Sequence, residues 1–242
     1  MIHILIKEFN GFLNTLIAYV VIGVFLSVIG LLMWVFPETS ILDYGYADMD
    51  TLFSLGPYVF IFLIPAITMK SFAEEKKVGT LEFLFTKPLS IGNILVGKFL
   101  AAVALVLLSL APTVIYCWSI YQLGEPVGNL DVPGIIGSYI GLLLLGTVFC
   151  AIGIFSSAIA ANQIVSFVIG AVLSLAIYSG FDSFSALIAN GSIALTVKQM
   201  GILYHYQSMG RGLIDSRDLI YFLSVTGLIL LVTKTILSSR QW

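Results

Sequence analysis

The residues best suited to chemistry lie in one segment, residues 69–90, where four lysines and three glutamates are interspersed with apolar side chains. Thr80 is placed to cap a short helix, because Gly79 lets the chain turn immediately before it. Pro88 would end that helix, because proline cannot continue the backbone hydrogen-bond ladder. The pattern therefore predicts a short helix within a charged segment and no catalytic pair of carboxylates.

One face of this predicted helix is apolar. Leu81, Leu84 and Phe85 follow the i, i+3, i+4 spacing of a helical face, and Glu82 lies off that face. Such a ridge fits a groove on a partner protein. It fits equally well a loop helix that rests on a membrane surface, and the spacing alone favours neither interpretation.

Other reactive side chains do not converge. The stretch Gly92–Phe99 resembles a phosphate-binding loop, but Phe99 stands where a magnesium-binding hydroxyl is required. His3 and His205 are isolated in the sequence, and Cys117 and Cys150 fall within apolar runs where cysteine packs as a small hydrophobe. We therefore predict that the chain is not an enzyme and carries no metal site.

Composition places these residues in a membrane protein. Apolar residues make up 59% of the 242 residues and charged residues only 10%, and the mean hydropathy is +1.06. A soluble domain carries roughly 25% charged residues, so this chain could not cover its surface in water. The net charge of -2 excludes a basic surface for nucleic acid. We predict an all-α integral membrane protein.

Long apolar runs and short polar segments define the predicted elements. Residues 1–15 alternate as a two-faced helix that lies in the membrane interface or extends the first span. Gly137 and Gly141 form a GxxxG pair, which marks a close helix contact or arises by chance. Residues 182–218 are half apolar and predict short interfacial helices. The predicted single domain, residues 1–242, has six spans at about 16–36, 51–69, 99–121, 135–157, 164–181 and 219–237, with the charged loop at 70–98.

Basic residues give the orientation. Eight of the eleven lysines and arginines fall on the side of the two termini, and three fall on the other side. Positive residues concentrate on the cytoplasmic side, so both termini are predicted to be cytoplasmic. The span interiors are nearly free of ionisable groups, which argues against an ion-coupled carrier.

The charged loop resembles a known family. Glu75, Gly79-Thr80, Glu82, Pro88 and Gly97–Leu100 are similar to the hallmark cytoplasmic loop of ABC-2 type permeases, in which a coupling helix contacts an ATP-binding subunit. The N-terminal helix, the six spans and the stretch Gly153–Ser157 agree with that family. Within it, Glu74–Thr80 and His205–Gly212 most resemble the gliding-motility-associated permease subunits.

The resemblance implies a role in the bacterial inner membrane. It implies a separate cytoplasmic ABC ATPase dimer that holds ATP and magnesium, no cofactor in this chain, and a second permease subunit that forms a homodimer or a heterodimer. The function would be export or envelope work, including gliding motility. The alternatives are a force-transmitting subunit that transports nothing and a stand-alone multi-pass carrier. The residues implied to contact the ATPase are Glu74, Glu75, Gly79, Thr80, Leu81, Glu82, Leu84, Phe85 and Pro88.

Overall fold

The computed structural model describes residues 2–79 and 90–239, and within these residues the protein is all-α. The predicted coupling helix therefore lies outside the described residues. The helices in chain order are α1 (Ile2–Leu13), α2 (Leu16–Trp34), α3 (Ile41–Tyr44), α4 (Asp50–Thr68), α5 (Lys70–Val78), α6 (Ile91–Leu110), α7 (Thr113–Leu123), α8 (Val132–Ile159), α9 (Gln163–Ala186), α10 (Gly191–Gln199), α11 (Ile202–Met209) and α12 (Ser216–Ser238).

Six helical segments in the described part of the chain are long and apolar enough to cross a membrane. This number confirms the prediction from the sequence. Two of the segments join neighbouring helices, because α5 follows α4 almost directly and α7 follows α6 after a break at Pro112. The six segments are Leu16–Trp34, Asp50–Val78, Ile91–Leu123, Val132–Ile159, Gln163–Ala186 and Ser216–Ser238.

The third segment begins earlier than the sequence predicts, at Ile91 rather than near residue 99. Ser90 is its N-cap, and the Ser90 side chain accepts a hydrogen bond from the backbone N–H of Asn93. Lys98 lies inside this helix, and its charge is tolerated there because Glu8 and Glu75 pair with it. Residues 70–78 are also helical, so only 79–90 separates α5 from α6.

Helix α8 lies at the centre of the bundle and contacts α4, α5, α6, α9, α11 and α12. Its glycines permit this, because they bring neighbouring helices close to its backbone. A Cβ at Gly146 would lie 3.0 Å from Val106 of α6, and a Cβ at Gly141 would lie 3.3 Å from the Tyr206 ring of α11. The GxxxG pair therefore marks a real helix contact, with α11 as the partner.

The bundle has two ends. We use the term N-terminal face for the end that contains α1, α5, the first turns of α6 and the last turn of α8. The opposite face contains α3, α10 and α11. The short helices α10 and α11 occupy the segment 182–218, as the sequence predicts.

Candidate functional site

The candidate site lies on the N-terminal face and consists of residues that precede and follow 80–89 in the chain. Six of the residues predicted to contact an ATPase fall outside the described residues: Thr80, Leu81, Glu82, Leu84, Phe85 and Pro88. Of the other three, Glu74 and Glu75 lie in the middle of α5 and Gly79 ends that helix, which leads into the segment. The structure therefore describes the helices that precede and follow residues 80–89.

A buried lysine joins three helices at this site. Lys98 of α6 is 3% exposed, and its Nζ lies 3.1 Å from Glu8 Oε1 of α1 and 2.8 Å from Glu75 Oε1 of α5. The same ammonium lies 5.2 Å from the centre of the Phe72 ring. A buried ammonium is tolerated only when paired and hydrogen-bonded, so this network fixes α1 and α5 on α6.

Close backbone packing supports the network. A Cβ at Gly97 would lie 2.8 Å from Cγ2 of Ile4, so α1 lies directly against the first turns of α6. Only glycine allows this approach, because a Cβ contact below 3 Å requires one of the two helices to move. Gly97 thereby lets Glu8 of α1 reach Lys98.

Ser157 fastens α5 to the end of α8. Its Oγ accepts hydrogen bonds from the backbone N–H groups of Phe72, at 2.9 Å, and Ala73, at 3.0 Å, and donates to the carbonyl of Met69, at 2.9 Å. The N–H groups of a first helical turn have no acceptor within their own helix. Ser157 supplies that acceptor from another span.

Two further contacts join the same elements. Lys76 Nζ donates to the carbonyl oxygens of Ala158 and Ala160 at the end of α8. A Cβ at Gly153 would lie 1.9 Å from Thr68 Oγ1, so the end of α4 packs against the α8 backbone. The stretch Gly153–Ser157 is therefore the surface of α8 that receives the α4–α5 junction.

The three described members of the predicted contact set have different environments. Gly79 has a φ of +74° and ends α5 in the left-handed conformation that favours glycine. Glu75 is bound to Lys98 within the chain, although the sequence suggested it as a contact to a partner. Glu74 is exposed and has no ion pair within the described residues.

Replacing Ser157 with alanine is expected to loosen α5. Two buried N–H groups would lose their acceptor, at a cost of about 1–2 kcal/mol, and the amides of residues 70–78 should exchange hydrogen about tenfold faster. Hydrogen–deuterium exchange mass spectrometry in detergent measures this rate. Ser119→Ala is the matched control, because within the described residues the Ser119 hydroxyl bonds only to the carbonyl of Ile115 in its own helix. Equal exchange in both variants would contradict the fastening role.

The remaining sequence candidates do not form a catalytic site. Gly92–Phe99 lies within the continuous helix α6, so it is not a phosphate-binding loop. His3 and His205 lie on opposite faces. Sequence reasoning missed the partners of His205, whose Nδ1 is 2.7 Å from Asp218 Oδ1 and whose ring stacks on Tyr221 at 3.9 Å.

Two comparisons with known proteins bear on this site. The family model described as ABC-2 family transporter protein matches residues 40–240 of the chain. The match begins just before α3 and includes α5, α6 and α8, three of the four helices that build the site. No curated protein matches the chain.

Proposed function

The chain belongs to the ABC-2 family of transporter proteins, and from that premise we propose that it is the permease subunit through which a separate cytoplasmic ATPase moves the membrane helices. The observation that supports this role most is the network around Lys98 and Ser157. It braces both ends of residues 80–89 against the spans. ATP and Mg²⁺ belong to the partner ATPase, and this chain carries out no catalysis.

The network explains how a displacement of residues 80–89 by the ATPase would be transmitted to the membrane-spanning helices. Helix α5 leads into the segment and is bonded to α8 through Ser157 and to α6 through Glu75 and Lys98. Helix α6 leads out of it and holds α1 through Glu8. Displacement of the segment would therefore change the tilt of α4, α6 and α8 together. Helix α5 continues from α4, and it is linked to α8 by hydrogen bonds and to α6 by an ion pair.

Within the segment we assign roles from the sequence. Leu81, Leu84 and Phe85 form the apolar ridge that enters a groove on the ATPase, and Glu82 makes a polar contact beside it. Glu74, exposed in the middle of α5, is placed to add a second polar contact. Gly79 and Pro88 set the two turns that present the ridge.

This role requires the N-terminal face to be cytoplasmic in a bacterial inner membrane. The majority of lysines and arginines on that side supports the orientation. A second permease subunit, identical or different, would complete the membrane pair. Export and envelope work such as gliding motility both agree with this architecture. Stimulation of ATP hydrolysis by a substrate would indicate export, and stimulation by a protein partner would indicate force transmission.

Reversing the charge of Glu82 is expected to release the ATPase. The Glu82→Lys variant should insert normally but retain at least about tenfold less ABC ATPase when tagged protein is purified in mild detergent, because the exchange reverses the charge at a polar contact of the proposed interface. Mass spectrometry of the purified material measures the ratio.

The matched control is Glu38→Lys, which makes the same exchange at an exposed position in the loop before α3. It should retain the ATPase as the wild type does. Equal retention by Glu82→Lys would contradict the role of Glu82. Absence of any ATPase from wild-type preparations would instead favour a stand-alone carrier.

A further inference from the structure

A cleft of about 350 Å³ opens beside the candidate site on the N-terminal face. It lies between α1, the start of α2, the end of α4 and the start of α5. Phe12, Ile17 and Ile67 form its apolar wall, and the rest of its lining is Gly11, two hydroxyl side chains and six charged side chains. A cleft with one apolar wall and one charged wall fits an amphiphilic molecule.

The charges in the cleft fall into two groups. Lys98 is already paired with Glu8 and Glu75. Lys7, Lys70 and Glu74 also line the cleft, and none of them forms an ion pair within the described residues. Two ammonium groups and one carboxylate are therefore available to a ligand that carries both signs of charge.

The position of the cleft along the bundle selects the ligand. Helix α1 ends at Leu13 and the first apolar span begins at Leu16, so the cleft lies where the chain enters the membrane. Its apolar wall is continuous with a small core cluster of Ala18, Val21, Ile67 and Leu105. At this depth phospholipid headgroups surround the protein, and lysines near the surface attract their phosphates.

We propose that the cleft binds the headgroup of a zwitterionic aminophospholipid such as phosphatidylethanolamine. Lys7 and Lys70 supply positive charge for the phosphate, Glu74 supplies negative charge for the ammonium, and Phe12, Ile17 and Ile67 pack against the upper acyl chain. Inorganic phosphate would leave the apolar wall uncovered. A purely anionic headgroup would leave Glu74 without a cation. Glu74 is the one residue shared with the proposed ATPase contact, and the lipid measurement needs no ATPase, so failure of this inference is distinguishable from failure of the ATPase role.

A glycine in the lining allows the cleft to be filled. Gly11 lines the cleft, and a Cβ at this position would meet no atom within 4 Å. The Cβ of Gly11→Leu therefore displaces no neighbour, and the rest of the leucine side chain is expected to reduce the space in the cleft. Gly23→Leu is the matched control, because Gly23 of α2 is equally open and does not line the cleft.

The test is native mass spectrometry of the full-length chain, exchanged in detergent against equal amounts of phosphatidylethanolamine and phosphatidylglycerol. Wild type and Gly23→Leu should retain phosphatidylethanolamine preferentially, and Gly11→Leu should retain about fivefold less. Glu74→Gln should lose the preference between the two lipids while still retaining lipid. Added inorganic phosphate should displace neither lipid.

Three results would overturn the proposal. The first is equal retention by the Gly11→Leu and Gly23→Leu variants, which would show that lipid binds elsewhere. The second is a preference of the wild type for phosphatidylglycerol, which would show an anionic-lipid site. The third is displacement of the lipid by inorganic phosphate, which would show that the cleft recognises the phosphate alone.

Discussion

Replacing Lys98 with methionine is expected to destabilise the protein by about 3 kcal/mol, because it leaves two carboxylates beside each other without their cation. The methionine would fill the space of the lysine stem, so the loss comes from charge rather than from a cavity. Glu8 and Glu75 retain about a fifth of their exposure, which places the loss at the low end for a broken buried pair. Thermal and denaturant unfolding in detergent measure it.

Lys77→Met is the matched control for this prediction. Lys77 is exposed on α5 and has no ion pair within the described residues, so its loss should change stability by less than about 0.5 kcal/mol. Adding Glu8→Gln and Glu75→Gln to Lys98→Met should restore part of the stability, because it removes the uncompensated charges. Equal melting of the Lys98→Met and Lys77→Met variants would show that the three-helix network does not stabilise the N-terminal face.

Replacing Gly137 with alanine is expected to displace α11. The new Cβ would lie 2.2 Å from the carbonyl oxygen of Met209, a backbone atom that cannot move without its helix. Overpacking of this kind costs about 1–3 kcal/mol. The hydrogen bond from the Tyr206 hydroxyl to the carbonyl of Phe53, 2.6 Å long, would also be strained. A lowered melting temperature in detergent is the expected result.

The opposite result is expected for Gly227→Ala. Gly227 lies in α12, and a Cβ there would meet no atom within 4 Å. The same exchange should therefore stabilise the protein by about 0.5–1 kcal/mol, because alanine loses less backbone freedom than glycine in a helix. The two variants differ only in the space around one methyl group. A melting temperature for Gly137→Ala at or above that of the wild type would contradict the close contact of α8 and α11.

The spans were the most predictable feature of the fold. Six apolar runs are long enough to cross a bilayer, and each can satisfy its backbone hydrogen bonds only as a helix. The spacing of Gly137 and Gly141 left a helix contact and a chance pairing equally open, and only the structure shows the contact and identifies α11 as the partner. The sequence predicts a third span from residue 99, because Lys98 is charged, whereas helix α6 already begins at Ile91 and its Lys98 is paired inside the helix.

The candidate site was only partly predictable. The sequence marked Glu75, Gly79 and the stretch Gly153–Ser157, and it predicted a partner contact for Glu75 without indicating the ion pair with Lys98. Nothing in the sequence relates Lys98 to Glu8, since 90 positions separate them. Ser157 is one of several serines in an apolar span, and its role depends on the two N–H groups that α5 brings to it.

By itself, the sequence determined that this protein crosses the membrane through helices, because hydropathy and run length act locally along the chain. It also located the charged segment between the second and third spans. Only the tertiary structure decided which charges meet and which backbone groups find acceptors. Such contacts depend on distances between side chains on different helices. Those distances are set by the packing of the other helices against α8, whose glycines allow close approach.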